Sequence, residues 1–121
     1  MQRLLTLSIA AAFVCALATT AALAHAFLDH AVPAVGGTVN GSPSELQLNF
    51  TQNIVLAFSG VHLAAEGGGA VPIGKPTLGA PNELTVTLGR PLKPGTYVVS
   101  WHVVSVDTHH TSGTYRFTVA P

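Results

Sequence analysis

Sulfur and charge are both scarce in this chain. Its 121 residues include one Cys and one Met, and only 8% are Asp, Glu, Lys or Arg. A single Cys cannot close a disulfide within the chain, so its stability has to come from an apolar core. Five Lys+Arg balance five Asp+Glu, for a formal net charge of zero. That excludes recruitment to nucleic acid by bulk charge, which needs clustered cations. With 48% hydrophobic residues, the chain is not a disordered polyelectrolyte either. Signatures of catalysis are missing too. No Gly-x-Ser-x-Gly elbow surrounds a serine, and no Gly-rich segment follows a strand and opens a helix to cradle phosphate. The Gly67-Gly68-Gly69 run reads as a turn. The length suits one domain. What the chain has in excess is histidine, six against ten charged residues.

The first 24 residues read as a secretory signal rather than as part of the fold. Arg3 supplies a positive n-region, Leu4 to Leu17 an apolar run, and Ala22-Leu23-Ala24 a small-x-small cleavage site. The run is too short to span a bilayer. Val14 occupies the position before Cys15 where a lipidation signal needs a small residue. We expect cleavage before His25 and export to the periplasm, with residues 25–121 as the working domain. The only Cys, the only Met and Arg3 then leave with the signal. The remaining 97 residues carry four Lys+Arg against five acids, a formal net charge of −1. An apolar core at that size is sufficient for folding.

Short alternating runs punctuated by Gly, Pro, Asn and Ser fill the rest, and no stretch keeps a 3.6-residue period. Strands are expected at His25 to Val32, Glu45 to Phe50, Ile54 to Phe58, Val61 to Ala65, Val71 to Ile73, Leu84 to Leu88, Thr96 to Val106 and Ser112 to Val119, with a loop at Pro76 to Asn82. This spacing predicts an all-β antiparallel sandwich or Greek-key barrel of about seven strands. In the long strand Tyr97, Val99, Trp101 and Val103 share the core face, with Ser105 and Asp107 continuing it, while His102 lies opposite. Trp101 is expected to fill the core.

Cleavage would make His25 the first residue, so its α-amine and imidazole Nδ1 could chelate one ion through a six-membered ring. An α-amine with a pKa near 8 gives up its proton to a metal at little cost. Asp107 and His109 lie two apart in Val106-Asp107-Thr108-His109-His110, so a strand would project both to the same side. One amine, two imidazoles and a carboxylate form a set suited to a tetragonal Cu(II) centre. A blue-copper site would need a thiolate and Cu(I) capture would need thioethers, both absent from residues 25–121. Structural zinc usually takes four side chains, often Cys. His30, His62 and His102 read as surface residues, and His110 points away from His109 if the strand persists.

Several of these segments together resemble the CopC family of periplasmic copper-resistance proteins. They are His25-Ala26-Phe27-Leu28 after a signal, Pro33-Ala34, Phe58-Ser59-Gly60, the run Gly95 to His109, and Ser112 to Phe117. The run from Tyr97 through Trp101 and Asp107 to His109 is the most specific part. The resemblance implies a seven-stranded Greek-key β-barrel, cupredoxin-like or immunoglobulin-like. It also implies one Cu(II) per chain at the mature N-terminal His, the Asp and the His of the run: His25, Asp107 and His109. A copper-homeostasis role without catalytic turnover is implied, with a CopD-like inner-membrane copper transporter as partner. We expect a monomer. The chain departs from the family pattern in two places. It has no Met-rich segment for a separate Cu(I) site, and Asp107-Thr108-His109-His110 stands where members often read Asp-Gly-His-Pro.

Two other classes share parts of the pattern. A copper-dependent oxidative enzyme can use an N-terminal His chelate, but 97 residues leave little room for a flat substrate face. A metal-free exported sandwich for adhesion or assembly would bind Cu(II) no better than a short His-Ala-Phe peptide.

Overall fold

Alternating apolar and polar residues build nine strands in the computed structural model, which describes residues 25–121. The expected signal, Met1–Ala24, lies outside the described residues. In chain order the strands are β1 (Leu28–Val32), β2 (Thr38–Val39), β3 (Glu45–Phe50), β4 (Gly60–Ala65), β5 (Ala70–Val71), β6 (Thr77–Leu78), β7 (Glu83–Thr87), β8 (Gly95–Val104) and β9 (His110–Val119). They form two sheets, one ordered β1-β3-β7-β6 and the other β2-β9-β8-β4-β5. All pairings are antiparallel except β2 on β9. Early strands alternate between the sheets, so β1 meets β3 across an excursion of β2 into the other layer. The expected all-β sandwich is the observed fold.

Period-two alternation decides which residues meet between the layers. Leu46, Leu48 and Phe50 of β3 and Leu84 and Val86 of β7 face inward from one sheet. Tyr97, Val99, Trp101 and Val103 of β8 and Tyr115, Phe117 and Val119 of β9 face them from the other. Fully burying each Leu, Val or Phe is worth about 1.5–3 kcal/mol. Aromatic contacts add shape. Trp101 packs edge-on to Phe50 with centroids 5.1 Å apart, and Tyr97 stacks on Phe117 at 5.7 Å. Trp101 therefore fills the core as expected. It also claims the space at Gly113 across the β8–β9 ladder, where a Cβ would fall 2.6 Å from its indole ring.

Several boundaries differ from the sequence expectation, among them the start of β1 at Leu28, the end of β8 at Val104 and the start of β9 at His110; two further differences have a clear local reason. Ile54 to Phe58 does not form a strand. Ile54 makes one isolated bridge to Ser105, and Leu56–Phe58 turns as a 3-10 helix. There the Ser59 hydroxyl donates to the Val55 carbonyl (2.8 Å) and accepts from the Val104 amide (3.2 Å), replacing ladder bonds. The Val71-Pro72-Ile73 strand shrinks to Ala70–Val71, since Pro72 has no N–H to continue the ladder. Short pairings appear at β2 and at β6, the latter inside the expected Pro76–Asn82 loop.

Candidate metal centre

The amino-terminal segment of the described chain is sewn to both sheets at one end of the sandwich. β1 itself begins only at Leu28. Before it, the Phe27 amide donates to Thr51 Oγ1 (3.0 Å) and the Thr51 amide donates to the Phe27 carbonyl (2.8 Å). Thr51 Oγ1 in turn donates to the His25 carbonyl (3.3 Å). From the other sheet, Thr111 Oγ1 donates to the Ala26 carbonyl (2.5 Å). Ala26 is completely buried, a plug that holds His25 at the rim.

Opposite His25 lies the turn joining β8 to β9. The Ser105 amide donates to the His109 carbonyl (2.9 Å), and the Thr108 amide donates to the Ser105 carbonyl (2.8 Å). Thr108 takes a left-handed conformation, φ 71°, at the position where the resemblance leads one to expect glycine. Ser105 is the one buried polar residue among those described. Its hydroxyl hydrogen bonds to Asp107 Oδ1 and to the His109 carbonyl. Asp107 Oδ2 reaches His109 Nδ1 at 3.1 Å. These contacts hold the Asp107 carboxyl below its ordinary 3.8. The Ser105 hydroxyl is the main cause, partial desolvation opposes it and His109 assists.

The two histidines meet across the rim. Their ring centroids are 4.4 Å apart with planes at 88°, and Phe27 packs edge-on to the far side of His25 at 6.1 Å. His25 Nδ1 is buried and has no hydrogen-bond partner. An unsatisfied buried ring nitrogen costs about 1–3 kcal/mol, and a bound cation would satisfy it. Nδ1 is also the nitrogen that can share an ion with the residue's own backbone nitrogen. With His109 Nδ1 occupied by Asp107, its Nε2 is the nitrogen left for a ligand, the usual arrangement of a carboxylate behind a metal-binding imidazole.

All three expected ligands thus gather at one end of the fold. His25 contacts His109, and Asp107 contacts His109. Among the described residues, no group of three or more His, Cys, Asp or Glu side chains is closed around a common point; Asp107 is turned toward Ser105 and His109. The remaining histidines lie elsewhere. His30 Nδ1 bonds Asp29 Oδ2 (2.9 Å) on the surface. His110 opens β9 and lines a cleft of about 300 Å³ with Val55, Phe58, Val104 and Thr108. Sequence reasoning missed the anchors Thr51 and Thr111, for which no local signal exists. Ser105 was expected to continue the strand face to Asp107, but β8 ends at Val104 and the two residues meet within the turn instead.

A β-sandwich that gathers two histidines and a carboxylate at one rim, with no sulfur donor in residues 25–121, carries the donor types of a nitrogen- and oxygen-lined metal centre. The CopC domain matches residues 28–120, and the chain belongs to the CopC family, copper-resistance proteins rather than enzymes. It is 41% identical over 106 residues to Protein YobA of Escherichia coli strain K12, covering 85% of each chain. It is 38% identical to the E. coli Copper resistance protein C, covering 81% of this chain and 83% of that one. Among solved structures it superposes on CopC from Methylosinus trichosporium OB3b with TM-score 0.74 and 34% identity, over 80% of this chain and 95% of that one. It matches PcoC, a methionine-rich copper resistance protein from E. coli, with TM-score 0.73 and 35% identity, over 79% and 99%.

Proposed function

We propose that residues 25–121 form a periplasmic copper buffer or carrier that holds one Cu(II) through the His25 amine and Nδ1, Asp107 and His109. The observation that carries this reading is the buried, unpartnered Nδ1 of His25, edge-on to His109. The lack of thiol and thioether donors in these residues favours Cu(II) over Cu(I). Export through cleavage before His25 belongs to the same reading, because only a free amine completes the chelate. A monomer working beside a CopD-like membrane transporter is the arrangement that the family suggests.

The contact between Asp107 and His109 Nδ1 favours a second role for Asp107. In that role its carboxylate orients the imidazole and leaves Nε2 to the metal, without binding the ion itself. Electron paramagnetic resonance of the Cu(II) form separates the two roles. An Asp107→Asn chain changes the donor set if the carboxylate is a ligand, and keeps the signal but weakens binding if it is a partner of His109.

The test of the main reading compares the chain beginning at His25 with one carrying a single Gly before it. The extension should cost most of the Cu(II) affinity in a competition titration, since the amine is displaced from the chelate. Equal affinities would refute the ligand set. Acid should release the metal, because protons compete for the same nitrogen lone pairs.

A further inference from the structure

The outer face of the five-stranded sheet carries a second pair of histidines, remote in sequence from His25 and His109. The β4–β8 register pairs Gly60 with His102 and His62 with Ser100, which makes His62 and His102 diagonal neighbours on one face. Their strand neighbours Val61, Leu63, Trp101 and Val103 are buried, whereas both histidines are exposed. Their rings lie 6.2 Å apart and 26° from parallel. Among the described residues, no hydrogen bond or ion pair engages either ring.

Gly60 makes this approach possible. A Cβ built there would run into Cε1 of His102 and sit 3.0 Å from its Nε2. The His102 imidazole therefore lies across β4 over a bare backbone, turned toward His62 rather than standing out into water. The paired positions around the two rings, Gly60, Ser100 and Ser112, carry no charge. Arg116 lies farther along the sheet, opposite Val98, and is bound to Glu66 at 2.9 Å. Lys75 lines a cleft together with His62, a positive charge that an ion bound to the pair has to tolerate.

We propose that His62 and His102 form a second, weaker site for a divalent transition-metal ion, Cu(II) above all, on the outer face of the five-stranded sheet. An ion about 2.0–2.1 Å from one nitrogen of each ring places the ring centres roughly 4.5–6.5 Å apart; the observed spacing lies near the top of that range, and the stacked rings have to rotate to turn one nitrogen each toward a shared ion. Neutral imidazole suits Cu, Zn and Ni, and Cu(II) heads the divalent affinity order. Water fills the remaining positions, so the site is open and exchanges its ion readily. It offers incoming copper a first contact on the broad face of a protein whose tighter site lies at the rim.

The test is a Cu(II) titration of the chain beginning at His25, followed by calorimetry and by paramagnetic broadening of backbone amide resonances. A second equivalent is expected to broaden Gly60, His62, Ser100 and His102. His62→Ala and His102→Ala should each weaken that event about tenfold or more, as a two-imidazole chelate falls back to one donor, and leave the first equivalent untouched. His110→Ala should change neither. In a His109→Ala chain the sheet-face event should persist, so failure at the rim and failure here are distinguishable. A missing second equivalent, or one unaltered by both alanine variants, would overturn the proposal. Both histidines are exposed, so circular dichroism should show the fold unchanged in the variants.

Discussion

Among the described residues, two side chains bury a polar atom without a partner, His25 Nδ1 and the Tyr115 hydroxyl, and their surroundings give them opposite meanings. His25 stands at the rim beside another imidazole, where an ion can reach it. Tyr115 points into the sandwich, and burial raises its phenol above the ordinary 10.0. Removing an unsatisfied buried group is close to neutral or stabilising, so Tyr115→Phe should shift stability by no more than about 1 kcal/mol, in the stabilising direction. The sign of its pH dependence follows from the raised value. The unfolded tyrosine loses its proton near 10.0 while the folded one keeps it, so stability falls as pH rises above that point. Urea midpoints measured from neutral to strongly alkaline pH should show a shallower alkaline loss in the Phe variant. A variant destabilised at neutral pH by well over 1 kcal/mol would mean that the hydroxyl has a partner.

The β8–β9 turn is the element on which the rim depends, and it carries strain. Thr108 is β-branched and left-handed, a conformation costing a non-glycine residue about 1–2 kcal/mol. Thr108→Gly removes that cost and loses the hydroxyl's 2.6 Å bond to the Asp107 carbonyl, while glycine's greater freedom when unfolded offsets part of the gain. A net stabilisation of about 0.5–1 kcal/mol is expected, read as a melting temperature a few degrees higher by calorimetry. Ser105 acts on the site through Asp107. Ser105→Ala leaves the carboxylate held by His109 alone, and such supporting contacts are worth about 10–100-fold in metal affinity. A competition titration should show that loss of Cu(II) affinity with the rest of the fold intact, and an unchanged affinity would remove Ser105 from the site.

At the scale of the whole molecule, a ligand held between the amino-terminal segment and the β8–β9 turn ties the two sheets together at one end. A ligand that binds only the folded chain stabilises it by about 2.7 kcal/mol at a free concentration of about 100 Kd. For a domain of this size that raises the melting temperature on the order of 10 °C. Calorimetry of the chain beginning at His25, with and without Cu(II), should show such a shift, abolished by a chelator. It should be largely absent from the chain with an added Gly. Equal shifts in both would place the stabilising copper away from the rim.

Much of this architecture is legible in the amino-acid order, because a strand with one buried face must alternate. Leu46 to Phe50, Leu84 to Val86 and Tyr97 to Val103 announce their inward faces by period two alone, whereas Asp107 and His109, expected on a strand, lie in the β8–β9 turn beyond Val104, where that rule does not apply. Ile54 to Phe58 deceived that rule, since Ser59 substitutes side-chain bonds for a ladder. Period two also says nothing about which strand lies beside which. The meeting of His25 with His109 depends on hydrogen bonds between residues 24, 26 and 85 positions apart, and separations of that kind leave no periodic trace. The approach of His102 to His62 needed a register that sets Gly60 opposite an imidazole. Donor chemistry was therefore settled by composition, through the near absence of sulfur and the excess of histidine. Which histidines lie within reach of one another was decided by tertiary structure, because strand register and sheet closure, rather than neighbourhood along the chain, bring side chains together.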